Sequence, residues 1–333
     1  MRSFRSTMRI ALLLIAAGFS AAAGAQDVHV RVSPDVTTGI HGTNAFPTIQ
    51  MALDHHPWPG PGGRVILEIA PGVYHERLNI TQNHPNITLL GMGRSPADVV
   101  ITNSLNAKEA GGTFFTETVE VDGTGFEADN VTFENAAGNT GQAVAVVVRA
   151  DKAVFKHCRF LGHQDTLFAD WGRQYYVDSY IEGGVDFIFG NAAAVFDHDE
   201  LHSNGNGYLT AQSRTSPEQK TGYVIADSRV TADSDVSRIG LGRPWRPYSR
   251  VVYLRTELPA VVDSAGWGDW GDARNEKTAW YGEWQDRGPG AMPAGRVGWA
   301  RKPTRREAKQ FEPRVFLAGA DGWNPVAAAA RLP

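Results

Sequence analysis

Short runs of alternating hydrophobic and polar residues recur along most of the chain, separated by glycine and asparagine. The runs are rich in Val, Ile, Phe and Tyr, a composition typical of β-strands. Only two stretches carry helix signals: residues 45–55, where apolar residues have helical spacing before Pro57, and residues 305–310, which follow Pro303 and Thr304. The pattern therefore predicts an all-β protein with few short helices.

The runs resemble one another at a period of about twenty residues. VFKHCRFLG at residues 154–162 and YYVDSYIEG at residues 175–183 both alternate, and both end in an apolar residue two positions before a glycine. Residues 130–138, 195–201 and 223–230 are weaker copies. Self-similarity at this period indicates a solenoid, and a solenoid built of strands is a parallel β-helix. An ordinary β-sandwich with coincidental spacing is the alternative.

Two of these repeats place an aspartate at the same position. Asp165 and Asp186 each lie five residues after the last hydrophobic residue of the preceding strand. If Ala137 is the matching residue of the earlier repeat, Gln142 takes the same place. Adjacent coils of a β-helix stack about 4.8 Å apart. We therefore expect Gln142, Asp165 and Asp186 to form a ladder on three adjacent coils.

Two stacked carboxylates are suited to acid–base or nucleophilic chemistry. Carboxylates this close do not readily both ionise, so one can attack while the other keeps a proton to donate. The alternative is a structural pair bridged by a basic residue, but the apolar neighbours of Asp186 make a purely structural acid costly there. Gln142 and Gln164 can donate to a developing oxyanion beside the acids. The pattern therefore favours catalysis of acyl transfer.

The segment LGRPW at residues 241–245 supplies a cation and an aromatic ring. Arg243 can hold an aspartate anionic and oriented, and Trp245 can stack on a sugar ring. A loop with a salt bridge and a packed tryptophan is the alternative. Phe187 and Phe189 lie in the same run as Asp186. We expect Phe187 to pack and Phe189 to line a sugar cleft. The segment GVYHE at residues 72–76 is given a mainly structural role.

The first 25 residues have the pattern of an export signal. Three arginines precede an apolar stretch at residues 10–17, and Ala-Gly-Ala at residues 23–25 matches a small-x-small cleavage site. We therefore expect a signal peptide at residues 1–25 and one catalytic domain at residues 26–333. No later segment is long enough to cross a membrane. The expected protein is exported, either secreted or periplasmic, with no membrane anchor.

Charge and composition narrow the possible partners and cofactors. Removing the leader takes away three arginines and no acids, so the formal balance becomes (32 − 3) − 36 = −7. An acidic protein of this kind disfavours nucleic acid as a partner. The ten histidines show no ligand spacing, so we do not expect a metal site.

Together these segments resemble the pectin methylesterases (pectinesterases). GQAVAV at residue 141, GHQDTLF at 162, VDFIFGNAAAVF at 185 and LGRPW at 241 all match, as do GVYHE and WYGEWQDRGPGA from residue 280, in the same order and spacing. The resemblance runs from about residue 41 to residue 323. It implies a bacterial secreted enzyme with a single-stranded, right-handed parallel β-helix. The implied activity is hydrolysis of galacturonate methyl esters in pectin (homogalacturonan) with release of methanol, without a cofactor, and we expect a monomer.

The resemblance also implies a role for each residue of the site. Asp186 becomes the nucleophile, and Asp165 the proton donor and then acceptor, while Arg243 orients Asp186. Gln164 stabilises the oxyanion, and Gln142 acts on the oxyanion or the substrate. The implied substrate contacts are Thr113, Gln142, Arg243, Trp245 and Phe189.

Three other functions remain open. Paired acids also cleave glycosidic bonds, as in a polygalacturonase, although that reaction forms no oxyanion for the amides to hold. A catalytically silent sugar-binding β-helix is expected to lack an acid, an amide or the arginine. A relative that acts on another ester, such as an acetyl ester or a thioester, is excluded less firmly.

Overall fold

The strands of the protein coil into a parallel β-helix. The computed structural model describes residues 26–36, 44–57, 59–291 and 294–333, so the signal peptide expected at residues 1–25 lies outside the described residues. Within them, the chain forms parallel sheets of eleven, seven and seven strands. From residue 65 to residue 242 each coil contributes one strand to each sheet in turn.

The three sheets are named here in the order in which each coil visits them. The strands of the first sheet are Ala45–Phe46, Val28–Val32, Val65–Ile69, Ile87–Gly91, Glu127–Asp129, Ala153–Lys156, Arg173–Val177, Ala193–Asp197, Gly222–Ala226, Arg250–Leu254 and Trp280–Trp284. Those of the second are Gly72–Tyr74, Val99–Asn103, Thr132–Asn135, Arg159–Leu161, Tyr180–Gly183, Glu200–Ser203 and Arg229–Ala232. Those of the third are Leu78–Ile80, Val119–Val121, Val146–Val148, Leu167–Ala169, Ile188–Gly190, Tyr208–Gln212 and Gly240–Gly242.

The predicted parallel β-helix is confirmed, and the alternative of a β-sandwich is wrong. The two repeats compared in the sequence stack in the expected register, with Val154 opposite Tyr175 and Phe160 opposite Ile181. Further along, Gln164 pairs with Val185. Asp165 follows Gln164 and Asp186 follows Val185, so the two aspartates occupy equivalent positions on adjacent coils.

The predicted position of Gln142 in this ladder is wrong by one residue. The structure pairs Gln142 with Gln164, and it pairs Phe133, not Ala137, with Phe160. The chain takes 142 − 133 = 9 residues from Phe133 to Gln142 but only 164 − 160 = 4 from Phe160 to Gln164. The earlier coil therefore has a turn five residues longer, which shifts the sequence match. Gln142 and Gln164 stack as neighbours.

Stacked aromatic side chains inside the helix keep these coils in register. The ring of Tyr176 lies 4.9 Å from that of Phe155 on one side and 4.7 Å from that of Phe196 on the other, and the rings of both pairs are nearly parallel. All three side chains are fully buried. Such stacks add to the free energy gained by burial of the rings. Because a coil cannot slip without breaking them, the stack helps to fix the relative heights of the turns that carry the two aspartates.

The helices in the described part of the chain are all short. The α-helices are Ile49–His55, Ala107–Ala110, Arg305–Ala308, Pro313–Phe316 and Pro325–Ala329, and the 3-10 helices are Pro96–Asp98, Thr113–Phe115, Asn275–Lys277 and Lys309–Phe311. The helix expected over residues 305–310 is confirmed as an α-helical turn followed by a 3-10 turn. The last three α-helices pack apolar side chains such as Leu317 and Ala328 against the outside of the first sheet. None of the helices in the described part of the chain is long and apolar enough to span a membrane.

The helix expected over residues 45–55 begins four residues later than predicted. Ala45–Phe46 is a short strand that pairs beside Val28–Val32. The helix starts after Thr48, whose hydroxyl accepts a hydrogen bond from the amide of Met51 (3.2 Å). Glu76, in the GVYHE segment, accepts bonds from two further amides at the start of this helix. This contact gives the segment the structural role expected of it.

Candidate active site

The two aspartates lie at the entrance to the third sheet, one coil apart. Asp165 precedes the strand Leu167–Ala169, and Asp186 precedes the strand Ile188–Gly190. The amide of Asp165 donates to the carbonyl of Val185 (3.1 Å), and the amide of Asp186 donates to the carbonyl of Tyr208 on the next coil (2.7 Å). Parallel hydrogen bonds thus fix both backbones and bring the two carboxyl groups together.

Both aspartates have a left-handed backbone conformation. The φ angles are 65° at Asp165 and 48° at Asp186, a region that costs a residue other than glycine about 1 kcal/mol or more and that is concentrated at functional sites. The turn explains how a carboxylate fits in the apolar run around Asp186. Phe187, the next residue, is fully buried in the core as predicted, whereas the Asp186 side chain lines a surface cleft.

Arg243 binds only one of the two carboxylates. Its Nε donates to Oδ1 of Asp186 (2.9 Å), and its Nη2 donates to Oδ2 (2.6 Å). Bidentate pairs of this kind are among the strongest hydrogen bonds in proteins and fix the plane of the carboxylate. Asp165 forms no ion pair with any residue in the described part of the chain. The two acids are therefore adjacent but electrostatically unequal.

Burial and charge separate the two acids further. Burial raises the pKa of Asp165 to about 8, with a further increase from the neighbouring charge of Asp186 and a partial offset from Arg243. Burial also raises the pKa of Asp186, which is 5% exposed, but the hydrogen bonds and charge of Arg243 oppose that increase. Asp165 therefore holds its proton to a higher pH than Asp186 does.

The two glutamines lie beside the acids with their amides free for a ligand. Gln142 and Gln164 line the same cleft as Asp165 and Asp186. Neither side chain hydrogen-bonds to a protein group within the residues that the structure describes. The N–H groups of these amides can donate to an oxygen bound above the acids. This is the arrangement that stabilises an oxyanion in acyl transfer.

Aromatic side chains contribute to the lining of the cleft, which has a volume of about 320 Å³. The rings of Phe168 and Phe189 stack 4.4 Å apart, and Phe114 lies 5.2 Å from Phe168. Trp245 continues the row, 6.0 Å from Phe189. Thr113 also lines the cleft. A stripe of aromatic rings beside polar catalytic groups suits the faces of a chain of sugar rings.

Sequence comparisons identify the family. A profile of the pectinesterase family matches residues 35–320. The chain is 39% identical to Pectinesterase 31 of Arabidopsis thaliana over 299 residues, which cover 86% of this chain and 92% of that protein. The chain belongs to the pectinesterase family. Members of this family are carboxylic ester hydrolases.

Two further relatives agree with this assignment. Pectinesterase 3 of Citrus sinensis is 40% identical over 303 residues, which cover 86% of this chain but only 51% of that longer protein. The solved structure of pectin methylesterase from carrot superimposes with a TM-score of 0.81 at 36% identity, over 88% of this chain and 93% of the carrot chain. The β-helix of this pectinesterase family member is thus shared with a solved structure.

The structure brings every site residue expected from the sequence into one cleft. These residues are Thr113, Gln142, Gln164, Asp165, Asp186, Phe189, Arg243 and Trp245. The sequence analysis missed Phe114 and Trp270, which line the same cleft, and Phe168, whose ring stacks on that of Phe189. A signal for Phe168 was present, because it lies three residues after Asp165 as Phe189 does after Asp186. No comparable signal marks Trp270, whose ring lies 4.3 Å from the guanidinium carbon of Arg243.

The activity of this family member is expected to decline at alkaline pH. If Asp165 must donate a proton, kcat/KM for a methyl ester falls about tenfold for each pH unit above its pKa of about 8, because the protonated fraction falls by that factor. The measurement is methanol release from a methylated oligogalacturonide between pH 5 and pH 10, corrected for spontaneous hydrolysis without enzyme. A rate that stays constant to pH 10 contradicts this role of Asp165.

Proposed function

We propose that the protein hydrolyses methyl esters of galacturonosyl residues in pectin, giving methanol and de-esterified pectin through an acyl-enzyme on Asp186. The observation that carries this proposal is the unequal acid pair: Arg243 holds Asp186 as a carboxylate, while burial keeps the adjacent Asp165 protonated at neutral pH. One acid is therefore ready to attack and the other is ready to donate a proton.

In the first half of the reaction, the acyl group moves to the enzyme. A carboxylate oxygen of Asp186 forms a bond to the ester carbonyl carbon, and the carbonyl oxygen becomes an oxyanion that accepts hydrogen bonds from the Gln142 and Gln164 amides. When the carbonyl reforms, the bond to the methoxy oxygen breaks. Asp165 gives its proton to that oxygen, and methanol leaves. The products of this half are a mixed anhydride on Asp186 and an ionised Asp165.

In the second half, water releases the acid. Asp165, now a carboxylate, accepts a proton from water as the water oxygen bonds to the galacturonyl carbonyl carbon. The anhydride bond to Asp186 then breaks, and Asp186 returns as a carboxylate beside Arg243. The galacturonic acid leaves, and Asp165 again carries the proton that it had at the start.

The cleft and the relatives support pectin as the substrate. Phe189, Trp245 and Trp270 line the cleft with aromatic surface on which successive sugar rings can lie, and Thr113 lines it as well. The similar proteins from Arabidopsis thaliana and carrot are named for pectin. The uncharged methyl ester of such a polymer also suits a site next to a buried acid pair better than a free carboxylate does.

Export and assembly are part of the same proposal. A leader at residues 1–25 would carry the catalytic domain at residues 26–333 to the periplasm or the medium, where it would act as a monomer without a membrane anchor. The supporting observation is the leader pattern in the sequence. Mass spectrometry of the N-terminus of the exported protein, together with its mass in solution, tests both parts.

The decisive assay counts two products from highly methylated pectin. The proposal predicts methanol without new reducing ends. New reducing ends without methanol indicate a glycosidase, and neither product from well-folded protein indicates another ester or a binding protein. Acetylated pectin, assayed in parallel for acetate, separates the last two cases.

A further inference from the structure

Tyr208 contacts both members of the Arg243–Asp186 pair. It begins the strand Tyr208–Gln212, on the coil next to Asp186. Its carbonyl accepts the hydrogen bond from the amide of Asp186 (2.7 Å), and the centroid of its ring lies 5.1 Å from the guanidinium carbon of Arg243. The same residue therefore anchors the backbone of one partner and supports the side chain of the other.

Two glycines make the space that holds the Tyr208 ring. A Cβ atom at Gly240 would lie 2.3 Å from Cδ1 and Cε1 of Tyr208, and a Cβ atom at Gly268 would lie 2.4 Å from its hydroxyl oxygen. Neither glycine has a positive φ angle, so their backbone conformation does not require glycine. What the two positions require is the absence of a side chain. The ring is thus fitted into a slot that fixes it against Arg243.

Tyr208 supports the arginine from outside the substrate cleft. The cleft lining includes Trp270, which is 39% exposed and also lies against Arg243, but it does not include Tyr208. Tyr208 instead lines a separate recess together with Gly240 and Trp267. A substrate in the cleft would therefore contact Trp270, whereas Tyr208 acts on the chemistry only through Arg243.

We propose that Tyr208 is a positioning residue that holds the guanidinium of Arg243 in the plane in which it binds both oxygens of Asp186. The proposal rests on the proposed function, because it concerns the same nucleophile. An arginine side chain has several rotatable bonds, and an aromatic face beside the guanidinium favours one orientation through the cation–π attraction. Without the ring, the bidentate pair loosens and Asp186 is held ionised less firmly.

The test compares Tyr208→Phe and Tyr208→Leu, with Tyr180→Leu as the matched control. Tyr180 also lies beside an arginine, 5.9 Å from the guanidinium carbon of Arg159, but on the second sheet away from the cleft. We expect Tyr208→Leu to lower kcat about fivefold to tenfold, with KM changed less than about twofold. Tyr208→Phe and Tyr180→Leu are expected to stay within about twofold of the native rate. The first variant keeps an aromatic ring beside Arg243, and the second leaves Tyr208 unchanged.

A second readout does not depend on activity. Titration of the Asp186 carboxyl, observed by carbon NMR without substrate, should move upward by about half a pH unit or more in Tyr208→Leu and stay unchanged in Tyr208→Phe. The groups that face Asp186 are Asp165 and Arg243 in the cleft and the buried phenol of Tyr281. None of these three is changed in either variant.

The outcomes separate this proposal from the proposed function. Absence of methanol from the native protein overturns the function, and the NMR titration still decides the role of Tyr208. An unchanged Asp186 titration in folded Tyr208→Leu overturns the positioning role, as does a loss confined to KM. Equal impairment of Tyr208→Phe overturns it too, because the hydroxyl would then be the active group. If Tyr208→Leu does not fold, Gly268→Ala, which displaces the ring, takes its place with the same expected shift.

Discussion

Replacement of Asp186 by asparagine is expected to lower methanol release from methylated pectin by at least about 10⁴-fold, since loss of the nucleophile removes the covalent route altogether. The change keeps the shape of the side chain and removes only its charge. It leaves the guanidinium of Arg243 without its carboxylate partner, and this loss is expected to change the stability modestly. We expect the fold to persist. Steady-state methanol release, together with a thermal unfolding curve, measures both effects.

Asp178→Asn is the matched control for this variant. Asp178 has the same left-handed backbone, with a φ angle of 52°, but it is exposed in the turn between the first and second sheets. The same chemical change at that position is expected to leave the rate within about twofold of the native value. An Asp186→Asn protein that retains a tenth of the native rate would show that another group attacks the ester.

Replacement of Asp165 by asparagine is expected to cost about 10²- to 10⁴-fold in kcat, the range for loss of a general acid–base group. The asparagine cannot donate the proton that the departing methoxy oxygen needs, nor accept one from water afterwards. The decline of kcat/KM above a pH of about 8 should also disappear, because the group that titrates there is gone.

A change of the leaving group tests the acid role of Asp165 more specifically. An ester of a more acidic alcohol, such as trifluoroethanol, needs less help from an acid, so its acylation should be impaired less than that of a methyl ester. Hydrolysis of the acyl-enzyme still lacks its base. Asp165→Asn should therefore release a burst of trifluoroethanol close to one equivalent and then turn over slowly. An equal loss on both esters with no burst would remove Asp165 from the acid role.

The acid pair could be found from the sequence because its two coils are regular. The chain takes 164 − 160 = 4 residues from Phe160 to Gln164 and 185 − 181 = 4 from Ile181 to Val185, so equal spacing in the chain becomes stacking in space. Gln142 lies beyond a turn that is five residues longer, and the same counting misplaced it by one position although it still reaches the cleft. Regular turns can be read from spacing, whereas an insertion changes the register without changing the composition.

The surroundings of Arg243 could not be predicted in this way. Trp270 and Tyr208 lie 27 and 35 positions from it in the chain, and they meet it only because separate coils stack. Trp270 lies in a turn and Tyr208 directly follows an irregular segment at residues 204–207, where neither the period of the repeat nor a hydrophobic pattern applies. Sequence reasoning therefore identified the groups proposed to react and the arginine that orients Asp186, but it missed the aromatic side chains that contact this arginine.

Carbon NMR titration of the Asp165 and Asp186 carboxyl groups, assigned with the two asparagine variants, tests the central claim most directly. That claim is that the pair holds one proton at neutral pH and that Arg243 places it on Asp165. The account predicts that the Asp165 signal titrates near pH 8 and that Asp186 is already ionised at neutral pH. The reverse order, or two carboxyl groups that both ionise near pH 4, would contradict the account.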